Sequence, residues 1–329
     1  MGRGVLAGAL VGAAQGLVAV VLVVTLGFSS SAPGSRQKPG GRSWSAAAVL
    51  ECSRGLSATD LTALAELERS AVAADGGRLK LEWGTLRSRS GERVEDLLWW
   101  EDGRLLGFLG LYRFGAAPLE LAGVVEPTAR RRGIGTALLD AATELARERG
   151  LSEGLLVVPE GSAAGRALAL ARGGVHEHSE HALVLDGAPA PAPEDPRTTV
   201  RRAGPDDAAD LGRLLAAAFG EPPRDLTEQL ATEDEPTLLV AVDGRPVGTV
   251  RLTRDGDTGG VYGFAVDPAW QGRGIGRDVL RRVSSQLFAE GAVRVGLDVA
   301  VENDRALGLY TSLGFAAVAG EDYFTVPLA

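Results

Sequence analysis

The run Val261-Tyr262-Gly263-Phe264-Ala265-Val266-Asp267-Pro268-Ala269-Trp270-Gln271-Gly272-Arg273-Gly274-Ile275-Gly276 decides how this chain is read. It joins a mostly apolar strand, a proline stop, a glycine-rich turn and a helix start. Apolar residues return after it at Ile275, Val279, Leu280, Val283 and Leu287, the spacing of one helix face. The same order occurs upstream in Leu121-Ala122-Gly123-Val124-Val125-Glu126-Pro127-Thr128-Ala129-Arg130-Arg131-Arg132-Gly133-Ile134-Gly135, followed by Leu138, Leu139 and Leu145. Glycines here let the backbone approach oxygen atoms. Successive N–H groups and the helix N-terminus favour negative charge. The pattern therefore points to a pyrophosphate cradle, with Arg131, Arg132 and Arg273 adding charge-assisted contacts. The competing reading is a glycine-rich helix start with solvated arginines. Two copies, each with Arg130 or Gln271 three residues before the first glycine, weigh against it. The motif is neither the dinucleotide fingerprint nor a P-loop, since no Gly-Lys-Ser/Thr follows.

Working outward, the two stretches belong to a repeat. At an offset of 141 residues, Asp102-Gly103-Arg104 falls on Asp243-Gly244-Arg245, Val125 on Val266, and Gly173 on Gly314. The 72 aligned positions 102–173 hold 19 identities without a gap. One offset surviving across several turns and elements implies duplication of a whole domain. Each block predicts the same order. A helix comes first (Ala58–Ala74; Asp206–Phe219), with Asp60 and Asp206 as helix starters. Two strands follow around an Asp-Gly turn, then the strand before the cradle, the cradle helix, a buried strand (Leu155–Val158; Val293–Val299) and a second helix. A closing strand is expected at Ala182–Leu185 and at Tyr323–Leu328. The fold class expected is α/β (α+β in some schemes): two tandem domains, each a mixed, mostly antiparallel sheet flanked by helices.

The 329 residues suit two domains. The net charge of −9 argues against a nucleic-acid binder that works by bulk charge. One cysteine, Cys52, excludes an internal disulfide and a zinc cluster, and no metal is expected. Residues 4–28 are uncharged and long enough to cross a bilayer. A membrane anchor, a signal peptide and a wrongly assigned start compete for that segment. As an anchor, its following Arg36, Lys38 and Arg42 would keep the chain in the cytoplasm, tethered to the inner face of the membrane. Residues 1–43 thus form an apolar segment and flexible tether. The first domain is expected at 45–187, an Ala-Pro linker at 188–196 and the second domain at 197–329.

Arg/Gln-x-x-Gly-x-Gly after a Val-x-Pro strand end resembles the acetyl-CoA signature of the GNAT acetyltransferases, over both blocks. In the second block, Asn303-Asp304-Arg305-Ala306-Leu307-Gly308-Leu309-Tyr310-Thr311-Ser312-Leu313-Gly314-Phe315 resembles the family's second motif. The resemblance implies two splayed strands with acetyl-CoA in the gap as co-substrate. Phe264, Ala265 and Val266 would pair with the pantetheine arm, and Gln271, Gly272, Arg273, Gly274, Ile275 and Gly276 would hold the pyrophosphate. Asn303 would steady the arm, and Tyr310 would be the catalytic acid for the leaving thiolate. Val125, Arg130, Arg131, Arg132, Gly133 and Gly135 are the first block's counterparts. There, however, Asn303 maps to Ser162, Tyr310 to Ala169 and Phe315 to Gly174. The second block is accordingly the expected catalyst. For Tyr310 and Asn303 the competing readings are a half-buried helix tyrosine and a helix cap.

The reaction implied is direct acetyl transfer to a primary amine on a small molecule or peptide. A mycothiol-synthase-like enzyme and a non-catalytic acyl-CoA sensor are the alternatives. Tyr262, Asp298 and Glu302 are candidates for the general base. His176, His178 and His181 have spacings that could suit a metal, but read as an exposed loop and strand start. Cys52 reads as a small apolar filler, and Trp83, Trp99 and Trp100 as core or interdomain surface.

Overall fold

The computed structural model describes residues 22–23, 48–113, 118–219, 225–232 and 236–328. Of the apolar segment 4–28, only Leu22–Val23 is described. It forms β1 and pairs antiparallel with Cys52 and Glu51. The rest of that segment, with the tether 29–43, lies outside the described residues. Among the described residues no helix is long and apolar enough to cross a membrane.

The first repeat runs β2 (Ala48–Ser53), α1 (Ala58–Asp75), α2 (Trp83–Arg87), β3 (Asp96–Glu101), β4 (Arg104–Tyr112), β5 (Leu119–Val125), α3 (Ile134–Glu148), β6 (Glu153–Pro159), α4 (Ala163–Ala171) and β7 (Val175–Leu185). The second runs β8 (Thr198–Arg202), α5 (Ala208–Phe219), α6 (Thr227–Thr232), β9 (Thr237–Val242), β10 (Arg245–Asp255), β11 (Thr258–Val266), α7 (Ile275–Ala289), β12 (Arg294–Ala300), α8 (Asp304–Thr311) and β13 (Ala316–Pro327). The cradle helices α3 and α7 start at the same place in the 141-residue offset and have the same length. Both Asp-Gly turns have positive φ at both residues, 50° and 74° in one and 48° and 78° in the other, as a two-residue hairpin of this twist requires.

Local chemistry accounts for these boundaries. Ser57 caps α1 in a reciprocal box: its hydroxyl accepts from Asp60 N–H at 3.2 Å, and Asp60 accepts from Ser57 N–H at 2.9 Å. Asp60 thus supports the helix start from inside the first turn, and Ser57 makes it. In α7, Ile275, Val279, Leu280, Val283 and Leu287 are buried along one face, as their spacing predicts.

The chain forms two compact units. One holds residues 178–321. Its strands run β7-β12-β11-β10-β9-β8, with β11 and β12 parallel and the other pairs antiparallel. The other holds the described residues before 178 together with 322–328, its strands running β2-β3-β4-β5-β6-β13. The closing strands are therefore exchanged. Leu183 and Leu185 pack in the second repeat's core, whereas Phe324, Val326 and Leu328 pack in the first repeat's core. Alternation along a strand records which face is buried but not which neighbour it joins, so the swap left no local trace.

In the first-repeat unit, Arg89 and Asp96 form a buried ion pair at 3.0 Å, and the Arg89 guanidinium also lies over the Tyr112 ring. Burial outweighs the pull of Arg89 and pushes the Asp96 carboxyl up to about 6. A raised folded value means that this group favours folding most below its unfolded pKa, and that the contribution is lost as pH rises through about 6. Arg89→Met should cost about 3–5 kcal/mol near neutral pH, because it leaves an uncompensated buried carboxylate. The loss should shrink at about pH 5, where Asp96 takes up a proton. Urea unfolding at the two pH values checks both the size and the sign.

Candidate functional site

In each unit two parallel strands part beside the glycine-rich turn. β5 and β6 pair only over Leu119–Ala122 and Gly154–Val157. β11 and β12 pair only over Thr258–Gly260 and Arg294–Gly296. In an antiparallel ladder, successive residues direct their N–H and C=O to opposite edges. Glu126 N–H donates to Leu106 O at 2.9 Å, and Asp267 N–H donates to Val247 O at 2.8 Å. The preceding residues, Val125 and Val266, therefore turn their backbone groups toward the gap.

The turns are tied to the strand ends. Arg130 Nε donates to Val125 O at 3.2 Å, and Gln271 Nε2 donates to Val266 O at 2.9 Å. Arg and Gln are interchangeable here because each supplies an N–H at the same reach. Gly133 and Gly274 then start the helices with φ of 91° and 84°, a conformation that disfavours any side chain. Two residues on, a Cβ at Gly135 or Gly276 would come within 3.3 Å of Leu168 or Leu309, so both glycines allow the second helix to approach.

The arginines of the cradles are used unequally. Arg130 pairs with both carboxylate oxygens of Asp75 at 2.8 and 2.6 Å, which lowers the Asp75 pKa through these hydrogen bonds. Arg132 reaches Glu101 at 2.6 Å. Arg273 donates to Ala269 O at 3.0 Å and lies over the Trp270 ring at 4.7 Å. These three guanidinium groups are engaged inside the protein. Arg131 alone in its turn has no hydrogen bond or ion pair to a described residue. It holds φ at 65°, where the second repeat has Gly272 at 79°. That conformation costs a non-glycine residue about 1–2 kcal/mol, and such strain collects at ligand sites.

A cavity of about 370 Å³ opens at the gap of the first repeat. Leu109, Ile134 and Leu168 line its α3 side, Val72, Leu79 and Val124 its α1 side, and Arg131 its rim. At the 141-residue offset, the lining residues Gly123 and Ala164 stand where the second repeat has Phe264 and Arg305. Phe264 and Leu309 face Gly276, and Arg305 donates to Gln271 Oε1 at 2.8 Å across the turn. The second repeat has a smaller cavity, about 240 Å³, outside its turn, lined by Arg273, Gly274, Arg277 and Arg281 among others.

The strands before the cradles also differ. β4 and β5 pair without interruption from Gly107 and Val125 to Tyr112 and Glu120. In β11, Ala265 pairs with Thr249 but Tyr262 pairs with Arg251, so Gly263 and Phe264 share one opposing residue. Gly263 takes φ 53° in this bulge, which leaves extra backbone groups unpaired beside the gap.

Tyr310 lies on α8 with 8% of its surface exposed, packed at 6.1 Å from the Phe315 ring. Its hydroxyl has no hydrogen bond to a described residue, and burial pushes its pKa up to about 12. Ala169, its counterpart, is fully buried. Asn303 caps α8, its Oδ1 accepting from Ala306 N–H at 3.1 Å, and Ser162 caps α4 in the same way at 3.1 Å. The cap occupies the carboxamide oxygen of Asn303 and leaves Nδ2 without a described partner. Leu297 and Val299 pack in the core with Tyr310, so Asp298 between them faces the opposite side of the sheet. Tyr262 lies opposite the buried Arg251. Glu302 is an exposed turn residue.

Where an exposed loop and strand start were expected, the strand begins earlier: His176, His178 and His181 all lie on β7. His176 stands edge-on to Phe324 at 5.5 Å, and His178 lies 3.9 Å from Glu180. Among the described residues no cluster of three His, Cys, Asp or Glu could hold a metal. Cys52 is half-buried on β2, and Trp99 sits in the first repeat's core. The cavity, the strained Arg131 and the Arg305–Gln271 bond went unread in the sequence, although aligning the repeats exposes Gly123 against Phe264 and Ala164 against Arg305.

The description "Acetyltransferase (GNAT) family" matches twice, over residues 62–173 and 209–315. Among solved structures, a GCN5-related N-acetyltransferase from Sphaerobacter thermophilus is similar at 22% identity and a TM-score of 0.70, with 85% of this chain and 96% of that one covered. A tandem GNAT protein from the clavulanic acid biosynthesis pathway is similar at 20% identity and a TM-score of 0.61, covering 85% and 99%. A putative acetyltransferase from Pyrococcus horikoshii is similar at 16% identity and a TM-score of 0.58, covering 86% and 90%. At these identities the likeness to solved structures establishes the fold. The two family matches, falling on the two cradles and the helices around them, show that the chain is an acyltransferase belonging to the Acetyltransferase (GNAT) family, with two family domains in tandem.

Proposed function

We propose that the chain moves an acetyl group from acetyl-CoA to a primary amine by direct attack, and that the second repeat carries the chemistry. The observation behind this reading is Tyr310: a buried phenol, unengaged among the described residues, on the helix beside the cradle, where the first repeat has Ala169. Val266 and the Gly263–Phe264 bulge offer backbone groups at the gap. Their N–H groups would polarise the thioester carbonyl as charge grows on its oxygen. The amine nitrogen forms a bond to the carbonyl carbon, the carbon–sulfur bond breaks, and the amine proton passes to a base directly or through water. Tyr310 donates to the departing sulfur. A phenol at about 12 is a weaker acid than an ordinary thiol, so the transfer depends on the apolar setting also raising the basicity of the departing thiolate and on the hydroxyl being held in line with it.

At three matched ladder positions on the acceptor side, the second repeat is the more polar of the two. The residues at corresponding ladder positions are Arg251, Tyr262 and Asp298 in the second repeat, and Gly110, Ala122 and Val157 in the first. We assign Asp298 or Tyr262 to receive the amine and its proton, Asp298 being the group that would attract a cationic acceptor. Acetyl-CoA is a cytoplasmic metabolite, which sets the compartment for this reading. Because Tyr310 stays protonated far into the alkaline range, kcat at saturating acceptor should show no Tyr310-dependent fall between about pH 8 and 10.5. Measuring kcat across that range in the wild type and in Tyr310→Phe tests it. A fall near pH 9–10 that vanishes in Tyr310→Phe would contradict the assignment.

A further inference from the structure

We infer that the first repeat holds a CoA thioester whose acyl chain is several carbons longer than acetyl, and that it retains this ligand instead of transferring the acyl group. The inference rests on reading the cradles as CoA sites, not on the second repeat's chemistry. Three observations carry it. The rim has an exposed guanidinium, Arg131, unpaired among the described residues and held at positive φ beside the glycines and the start of α3. The cavity behind it passes through the gap to the far side of the sheet. Leu109, Ile134 and Leu168 line the near side, and Val72, Leu79 and Val124 the α1 side. A thioester seated at the gap would direct its acyl group toward that α1 side. There an amine acceptor would meet Val72, Leu79 and Phe108, and along the sheet Gly110, Ala122 and Val157; the carboxylate in the cavity lining, Asp75, is already paired with both terminal nitrogens of Arg130. A hydrocarbon chain meets the contacts it needs. Ala169 stands where the second repeat has Tyr310, so the phenol proposed there for the leaving sulfur has no counterpart at this position.

The volume agrees. About 370 Å³ lies within the range of small-ligand pockets, and Gly123 and Ala164 keep it open where Phe264 and Arg305 narrow the other copy. The polar rim and apolar depth fit an anionic head on an aliphatic tail, and the pyrophosphate-type cradle favours CoA as that head.

The test is calorimetry on the full chain carrying Gly274→Glu, which disables the second cradle, with acetyl-CoA, octanoyl-CoA and octyl phosphate as titrants. Each methylene moved from water into an apolar cavity is worth roughly fourfold in affinity. Octanoyl-CoA should therefore bind once per chain and at least about tenfold more tightly than acetyl-CoA. Its thioester should survive the incubation, read as the absence of free thiol. Adding Val72→Glu, a half-buried helix position on the acyl side, should remove that preference, weakening octanoyl-CoA at least about tenfold more than acetyl-CoA. Leu79→Asn repeats the experiment if Val72→Glu lowers the melting temperature. Equal affinity for the two thioesters, an equal loss of both in the variants, or steady thiol release would overturn the proposal. Octyl phosphate binding as tightly as octanoyl-CoA would overturn the CoA assignment. Failure of the proposed function reads out separately, as wild-type turnover of acetyl-CoA that does not depend on Tyr310.

Discussion

Tyr310→Phe is expected to lower turnover by about 10²–10⁴-fold and to leave acetyl-CoA affinity unchanged. The substitution keeps the ring that packs on Phe315 and removes only the hydroxyl, which bonds no described residue. No buried partner is left unsatisfied, so stability should hold. In the proposed role the hydroxyl acts on a sulfur that becomes charged only as the bond breaks, so its loss should appear in kcat and not in binding. Steady-state thiol release, paired with calorimetry for acetyl-CoA, separates the two. A drop in affinity equal to the drop in rate would mean that Tyr310 holds the cofactor and does not serve the chemistry.

Gly274→Glu is expected to weaken acetyl-CoA binding at the second repeat by at least about tenfold to a hundredfold, the worth of one charge-assisted hydrogen bond lost at the phosphates. Gly274 starts α7 at φ 84°, a region that costs other residues about 1–2 kcal/mol. A Cβ there meets no atom within 4 Å, so the side chain is not excluded by crowding. In the proposed site the damage would come from a carboxylate and a reshaped backbone where N–H groups converge on anionic oxygens. Titration of acetyl-CoA into the variant reads the loss directly.

The two glycine-rich turns and their helices were legible in the sequence because their conformation is local. A glycine at positive φ, an Arg or Gln that bonds the strand end, and an amphipathic helix all fall within one short stretch. The repeat made them stronger still, since Ile134–Glu148 and Ile275–Ala289 coincide at the offset. The bulge at Gly263 and Phe264 was not legible, because it exists only relative to the opposing strand. The same limit hid the exchange of closing strands: Ala182 to Leu185 alternates equally well against either neighbour. Arginines next to the glycines read as phosphate ligands, yet Asp75, Glu101 and Trp270 engage three of them, from an element far back in the chain, from the hairpin and from the turn itself. Their partners had to be placed in space before the free one, Arg131, could be distinguished.

Under the proposed function, the two similar turns serve unequal ends, with transfer confined to the second repeat. Free CoA thiol released from acetyl-CoA across a panel of amines, compared between Gly133→Glu and Gly274→Glu in the full chain, tests it most directly. Gly274→Glu should lose nearly all turnover and Gly133→Glu should keep most of it. Equal losses in two variants that both remain folded, or a larger loss in Gly133→Glu, would contradict it.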